Sequence, residues 1–326
     1  MRALLAAAAT LAALLLGALQ PATAADFPIP GKPIRLIVGF PPGGGTDIQA
    51  RQVGLQMQQA LGVPVLVENR PGAGTMLAAM EVARSAPDGH TLLYTPSSTM
   101  TQLPHTLASV KYDVFKDFTP LSLGALGPLV LVVHKSVPAA SVKELVAYAK
   151  AHPGALNYVS QGIGTSAHIY GDVFARQTGV DIVHVPYKGA NDVAKDFIAG
   201  RVHLQFASSS AAVALAKSGE VRLLAVVAPR RSALFPELPT MGEQGVAGME
   251  LDSWIGYFGP AGMPAQAVAR LNEVIVEVLR QPRLREELRA GGVEPQSSTP
   301  QQFAGLLRNS YDQWGRLLAQ AGFRKE

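Results

Sequence analysis

Two glycine-rich turns carry the clearest chemical potential in this chain. The first reads Pro41-Pro42-Gly43-Gly44-Gly45-Thr46-Asp47, the second Gln161-Gly162-Ile163-Gly164-Thr165-Ser166. A short apolar run precedes each, at 34–40 and 156–160. Residues at helical spacing follow: Ala50, Val53, Met57, Ala60 and Leu61 after the first, and Ala167, Tyr170 and Phe174 after the second. The pattern is strand, turn, helix. Such a turn gathers unpaired backbone N–H groups and the positive end of a helix dipole at one spot. Glycine lets a ligand come close to that backbone. The chemistry expected is capture of an anion, read here as a carboxylate. For one turn alone, chain reversal explains the glycines as well as anion capture does. The second copy favours capture. Laid over each other, strand matches strand and Thr165 falls on Thr46, so two units can aim two helix N-termini at one ligand.

Motifs of other chemistries are missing from the sequence. The first turn lacks the Lys of a P-loop, and Gly162-Ile163-Gly164 lacks the third glycine of a dinucleotide fingerprint. There is no G-x-S-x-G elbow, no H-E-x-x-H and no EF-hand loop. Cysteine is absent, which removes disulfides, thiol nucleophiles and thiolate metal sites. Of the seven histidines, His168 stands out, because it lies in the first turn after the second glycine loop. It either donates to an anion or packs within its lobe. Asp47 either favours the helix dipole or bonds a ligand ammonium, hydroxyl or bridging water.

The length of 326 residues suits about two domains, and a 48% apolar fraction supports a large core. A net charge of +4 without a Lys/Arg block gives no reason to expect nucleic acid. Residues 1–25 read as a secretory signal peptide: Arg2, an apolar run over 3–19, and Ala22-Thr23-Ala24 before cleavage after Ala24 or Ala25. No Cys follows for a lipid anchor, and no later segment is long and apolar enough to span a bilayer. The mature chain is expected to be exported and soluble.

The elements that must position the turns alternate between strand and helix, which predicts right-handed βαβ units in parallel sheets. Ligands then sit beyond the carboxyl ends of the strands, which puts 43–47, 72–74 and 97–99 on one rim. Runs at 121–126 and 129–133 are split by Gly127-Pro128. Ser141 with Glu144 reads as a capping box. A strand at 202–206 leads to Ala207-Ser208-Ser209-Ser210 and a helix to Lys217. The remainder from 265 is helical, and its Phe303, Leu307 and Trp314 are expected in the core.

The sequence resembles the Bug family, the extracytoplasmic solute receptors of tripartite tricarboxylate transporters. The residues that carry this are Lys32-Pro33-Ile34-Arg35, Pro42 to Asp47 with Ala50-Arg51, Glu68-Asn69-Arg70-Pro71-Gly72-Ala73-Gly74, Pro87-Asp88-Gly89-His90, His184-Val185-Pro186-Tyr187-Lys188-Gly189, and Trp254 with Pro260-Ala261-Gly262. The likeness covers essentially the whole mature chain. It implies an α/β, type II-like periplasmic binding protein, two α/β lobes joined by crossing strands around a central cleft. One lobe would comprise 26–125 plus 254–326, the other 126–253. It further implies a small carboxylate ligand (a di- or tricarboxylate, acidic amino acid or aromatic acid) held mostly by backbone N–H groups and ordered water, and membrane permease subunits as partners. The chain is expected to be a monomer, with no cofactor, metal or catalytic residue. The site residues expected are Phe40, Pro42, Gly43, Gly44, Gly45, Thr46, Asp47, Ser98, Gln161, Gly162, Gly164, Thr165, His168, Ala207 and Ser208. Lys188 and Arg70 are candidate cations. Where the family commonly has a further Gly after Gly74, this chain has Thr75. Gly44→Val or Gly164→Val is expected to block binding with the fold intact. The alternative readings are an exported α/β enzyme acting on a small carboxylate, or a ligand sensor for a signalling protein.

Overall fold

The structure, a computed structural model, describes residues 27–187, 190–251, 253–320, 322, 323 and 325. The expected signal peptide and Lys188 lie outside the described residues. Short β-branched runs form the strands, and the amphipathic stretches between them form the helices. The first lobe opens with β1 (Ile34–Val38), α1 (Gly45–Leu61), β2 (Val65–Asn69), α2 (Met76–Ala83) and β3 (Thr91–Pro96). Two short helices, α3 (Ser97–Thr101) and α4 (Leu103–Thr106), precede β4 (Phe118–Leu126). The chain crosses at Gly127-Pro128 into β5 (Leu129–His134), α5 (Val142–Ala151), β6 (Leu156–Ser160), α6 (Ser166–Thr178) and β7 (Ile182–Pro186). Then follow α7 (Ala190–Ile198), β8 (Leu204–Ser208), α8 (Ser209–Ala216) and β9 (Val221–Val227). It returns with β10 (Trp254–Pro260), α9 (Ala265–Arg280), α10 (Pro282–Ala290), β11 (Glu294–Pro295) and α11 (Pro300–Gln320).

Two mixed sheets result, in the orders β11-β4-β10-β3-β1-β2 and β7-β6-β8-β5-β9. The parallel pairings expected from the βαβ rhythm hold for β1 with β2 and β3, and for β6 with β7 and β8. The crossing strands differ. β10 runs antiparallel between β3 and β4, and β5 runs antiparallel between β8 and β9. These strands enter from the other lobe, so no right-handed helix crossover dictates their direction.

Each sheet is covered on both faces. On the first, Val53, Met57, Leu271, Ile275 and Val278 pack one side, and Met76, Val82, Phe303 and Leu307 the other. On the second, Leu145, Tyr170 and Phe174 pack one side, and Val193, Phe197 and Leu215 the other. The 21 residues of α11 reach about 30 Å, enough to touch both lobes. Its Phe303 and Leu307 join the first lobe's core, while Trp314 and Leu318 join the second's. Trp254 Nε1, at the return crossing, donates to Ser310 Oγ of α11 at 3.1 Å. The C-terminal segment thus divides its side chains between the lobes. Two non-glycine residues, Ala73 and Thr75, sit at positive φ of 46° and 85°; Thr75 stands where the resemblance leads one to expect glycine.

Trp314 is 1% exposed and its ring lies 5.1 Å from that of Tyr170. Trp314→Ala is expected to cost about 3–5 kcal/mol, measured by urea unfolding. A loss well below 1 kcal/mol would show that α11 does not anchor the second lobe's core.

Candidate functional site

A cavity of about 450 Å³ lies between the two lobes. Four helix N-termini border it: Gly44, Gly45 and Thr46 from α1, Ser97 and Ser98 from α3, Thr165, Ser166 and Ala167 from α6, and Ser208, Ser209 and Ser210 from α8. The first N–H groups of a helix lack partners within it. Side chains normally serve them, as Ser141 Oγ does for Glu144 N–H in α5 at 3.2 Å. At α1, α3 and α6 no side chain caps the terminus. Ser208 Oγ does accept from Ala211 N–H of α8.

The two glycine units superpose in backbone geometry. The N-caps Gly44 and Thr165 have φ, ψ of −76°, 162° and −74°, 158°. Gly43 and Gly164 precede them at φ 80° and 76°. This corrects the expected register: Thr165 matches Gly44, not Thr46. The match extends to the support beneath. Gly43 N–H donates to Asp47 Oδ2 at 2.9 Å, and Gly164 N–H donates to His168 Nδ1 at 3.2 Å. An acceptor four residues on therefore pins each loop.

Of the expected residues, Phe40, Gly44, Gly45, Thr46, Ser98, Gln161, Thr165 and Ser208 line the cavity. Pro42, Gly43, Asp47, Gly162, Gly164, His168 and Ala207 do not. Asp47 is engaged within its own unit: Arg51, Asn69 Nδ2 and Gly43 N–H all bond its carboxylate. Burial alone would raise its pKa, but those bonds prevail and hold it below the ordinary range. His168 stacks on His184, with ring centroids 4.2 Å apart. Ala207 points into the second lobe's core because strand side chains alternate; Phe206 and Ser208 on either side of it reach the cavity. Gly164 packs toward the first lobe, where an added Cβ would come 2.8 Å from Thr106 Oγ1.

Residues missed from the sequence also line the cavity. Gln49 lies one turn after Gly45 on α1, a spacing that would have revealed it. Gln49 accepts from Tyr94 O–H and donates to Ser210 Oγ across the cleft, both at 3.1 Å. Ser166 O–H likewise donates to Gln102 Oε1 at 2.9 Å, so hydroxyl–amide bonds join the lobes at two places. Gly127, Ser253, Trp254, Ile255 and Val293 reach the cavity from the crossings and the β11 segment. Asp192 and Lys195 of α7 contribute the charged side chains among the described lining residues. Those residues contain no cluster suited to a metal ion.

A family model described as "Tripartite tricarboxylate transporter family receptor" matches residues 49–323. Protein BugT of Bordetella pertussis is 34% identical over 294 residues, covering 90% of each chain. The chain belongs to this receptor family. Among solved structures, periplasmic binding protein BugD superposes with a TM-score of 0.85 at 29% identity, over 91% of this chain and all of that one. Rpa4515 of R. palustris, solved with adipate, superposes with a TM-score of 0.87 at 32% identity, over 92% of this chain and all of that one. The architecture is therefore the two-lobed, type II-like periplasmic binding fold.

The residues by which this chain resembles the receptor family mostly buttress its loops. Asn69 Nδ2 donates to Phe40 O as well as Asp47, and Arg51 donates to Asn69 Oδ1. Arg35 bridges Glu68 and Glu81, and Arg70 bonds the same two carboxylates at 2.8 and 3.0 Å. Arg70 is thus committed away from the cavity. In the second lobe, Ser160 Oγ contacts His184 Nε2 at 2.8 Å beneath the loop.

Burial pushes His184 down to about 4, with His168 adding to the shift and Asp172 opposing it. The unfolded chain, with an ordinary value of 6.5, then binds the extra proton. Stability from this group is present above pH 6.5 and lost as the pH falls toward 4. The melting temperature should fall over that window, less steeply in His184→Gln; equal slopes would contradict the assignment. The glycines also separate. Gly44 has negative φ, and an added Cβ would lie 3.6 Å from its nearest neighbour, Pro41 O. Gly44→Ala should cost less than about 1 kcal/mol. Gly164→Ala, at positive φ and against Thr106, should cost about 1–2 kcal/mol or more. That geometry contradicts the expectation that Gly164→Val leaves the fold intact. Equal stabilities for the two Ala variants in denaturant melts would refute the distinction.

Proposed function

We propose that this receptor captures a small carboxylate in the interlobe cavity and delivers it to the membrane permease of a tripartite transporter. One observation carries the reading: helix N-termini without side-chain caps converge on one cavity from both lobes. Each offers partial positive charge and backbone donors, which suits a carboxylate without a fixed counter-ion. The adipate complex of Rpa4515 supports the ligand class. In this reading the chain is a binding protein rather than an enzyme; the titratable lining side chains among the described residues are Asp192 and Lys195, both exposed. Closure of the lobes, with the Gln49–Ser210 and Gln102–Ser166 bonds formed, presents the surface that the permease reads. The protein works as a periplasmic monomer after cleavage behind Ala24 or Ala25.

The test is a thermal-shift panel of small carboxylates on mature protein refolded free of carried-over ligand. A true ligand at a hundred times its dissociation constant should add about 2.7 kcal/mol of stability and be recovered unchanged. No shift with any carboxylate, or conversion of the acid, would overturn the proposal.

A further inference from the structure

We propose that Lys195, at the mouth of the cavity, pairs with a second carboxylate of the ligand and makes the receptor select dicarboxylates over matching monocarboxylates. This rests on the carboxylate reading above and names the ligand within that class. The helix N-termini at the glycine loops can satisfy one carboxylate. A second anionic group taken out of water needs its own compensation, because desolvating an unpaired charge is costly. Hydroxyls and amides make up most of the remaining polar lining. Lys195 is the cation among the described lining residues.

Its position is that of a gate. Phe206, Ser209 and Trp254 are at most 2% exposed and form the interior, whereas Asp192 and Lys195 are exposed. Asp196, next to Lys195, has its hydrogen-bonding partners elsewhere, and the Lys195 charge adds to the forces that hold it ionised. Asp196 is taken by Arg201, at 2.8 Å on Oδ1, and by Tyr187 O–H, at 2.7 Å on Oδ2. Asp192, three residues earlier on the same face of α7, also lines the cavity. Its negative charge works as a filter: a carboxylate that misses Lys195 by one turn meets like charge. Phe206, Trp254 and Val293 supply apolar lining suited to a hydrocarbon spacer.

The experiment is calorimetric titration of the mature protein with adipate and with adipate monomethyl ester, which keeps the length and loses one charge. Succinate, glutarate, pimelate and suberate extend the series. Wild type should bind its preferred diacid about tenfold or more tighter than the corresponding monoester, a gap of about 1.4 kcal/mol. Lys195→Met should remove most of that gap and leave the monoester within about threefold, and Lys195→Arg should restore most of it. The gap should shrink with added salt. A Lys195→Met variant that weakens diacid and monoester equally, or neither, overturns the proposal. So does loss of binding in Asp192→Asn with Lys195→Met unaffected, which would indicate a ligand ammonium. If no diacid binds while a monocarboxylate stabilises wild type, this inference fails and carboxylate capture stands. If no carboxylate of either kind binds, both fail.

Discussion

A helix that begins inside a protein must find partners for its first N–H groups. This constraint governs the cleft. At α1, α3 and α6 the chain supplies no side-chain cap, and those termini border one cavity. The distant α5, by contrast, closes its own terminus with Ser141 and Glu144. Donors left open in a partly dry site are worth more to an anion than the same donors in water, because the local dielectric is low.

Open donors help only if they are held in place. Much of the surrounding sequence does this. Asp47, Arg51 and Asn69 form a bonded set under the first loop. The second loop rests on His168, His184 and Ser160. A carboxylate and an imidazole thus play the same part, each accepting an N–H from four residues before it. Tyr94 fixes Gln49, which spans to Ser210. Pre-set geometry of this kind lowers the entropy that a ligand must overcome on binding.

The strand–turn–helix units were legible because they are local: a few contiguous residues encode strand, reversal and helix start. The two-sheet fold was legible through their repetition and through the family resemblance. Other features needed three dimensions. Ala207 and Ser208 look alike in a small-residue run, yet alternation along β8 sends them to opposite faces. The register of Thr165 on Gly44 is visible only in cap dihedrals, since Asp47 and His168 share a role and no chemistry. Val293 and Trp254 reach the cavity from distant chain. Lys195 reads as one charge on a solvated helix face until the fold brings α7 to the mouth.

The most direct measurement is the backbone amide spectrum of isotopically labelled protein with and without a saturating carboxylate. The largest amide shifts should fall at Gly44, Gly45 and Thr46 and at Thr165, Ser166 and Ala167 together, if one carboxylate draws on both helix starts. Shifts confined to one loop, or to the side chains of the mouth, would contradict capture between the two units.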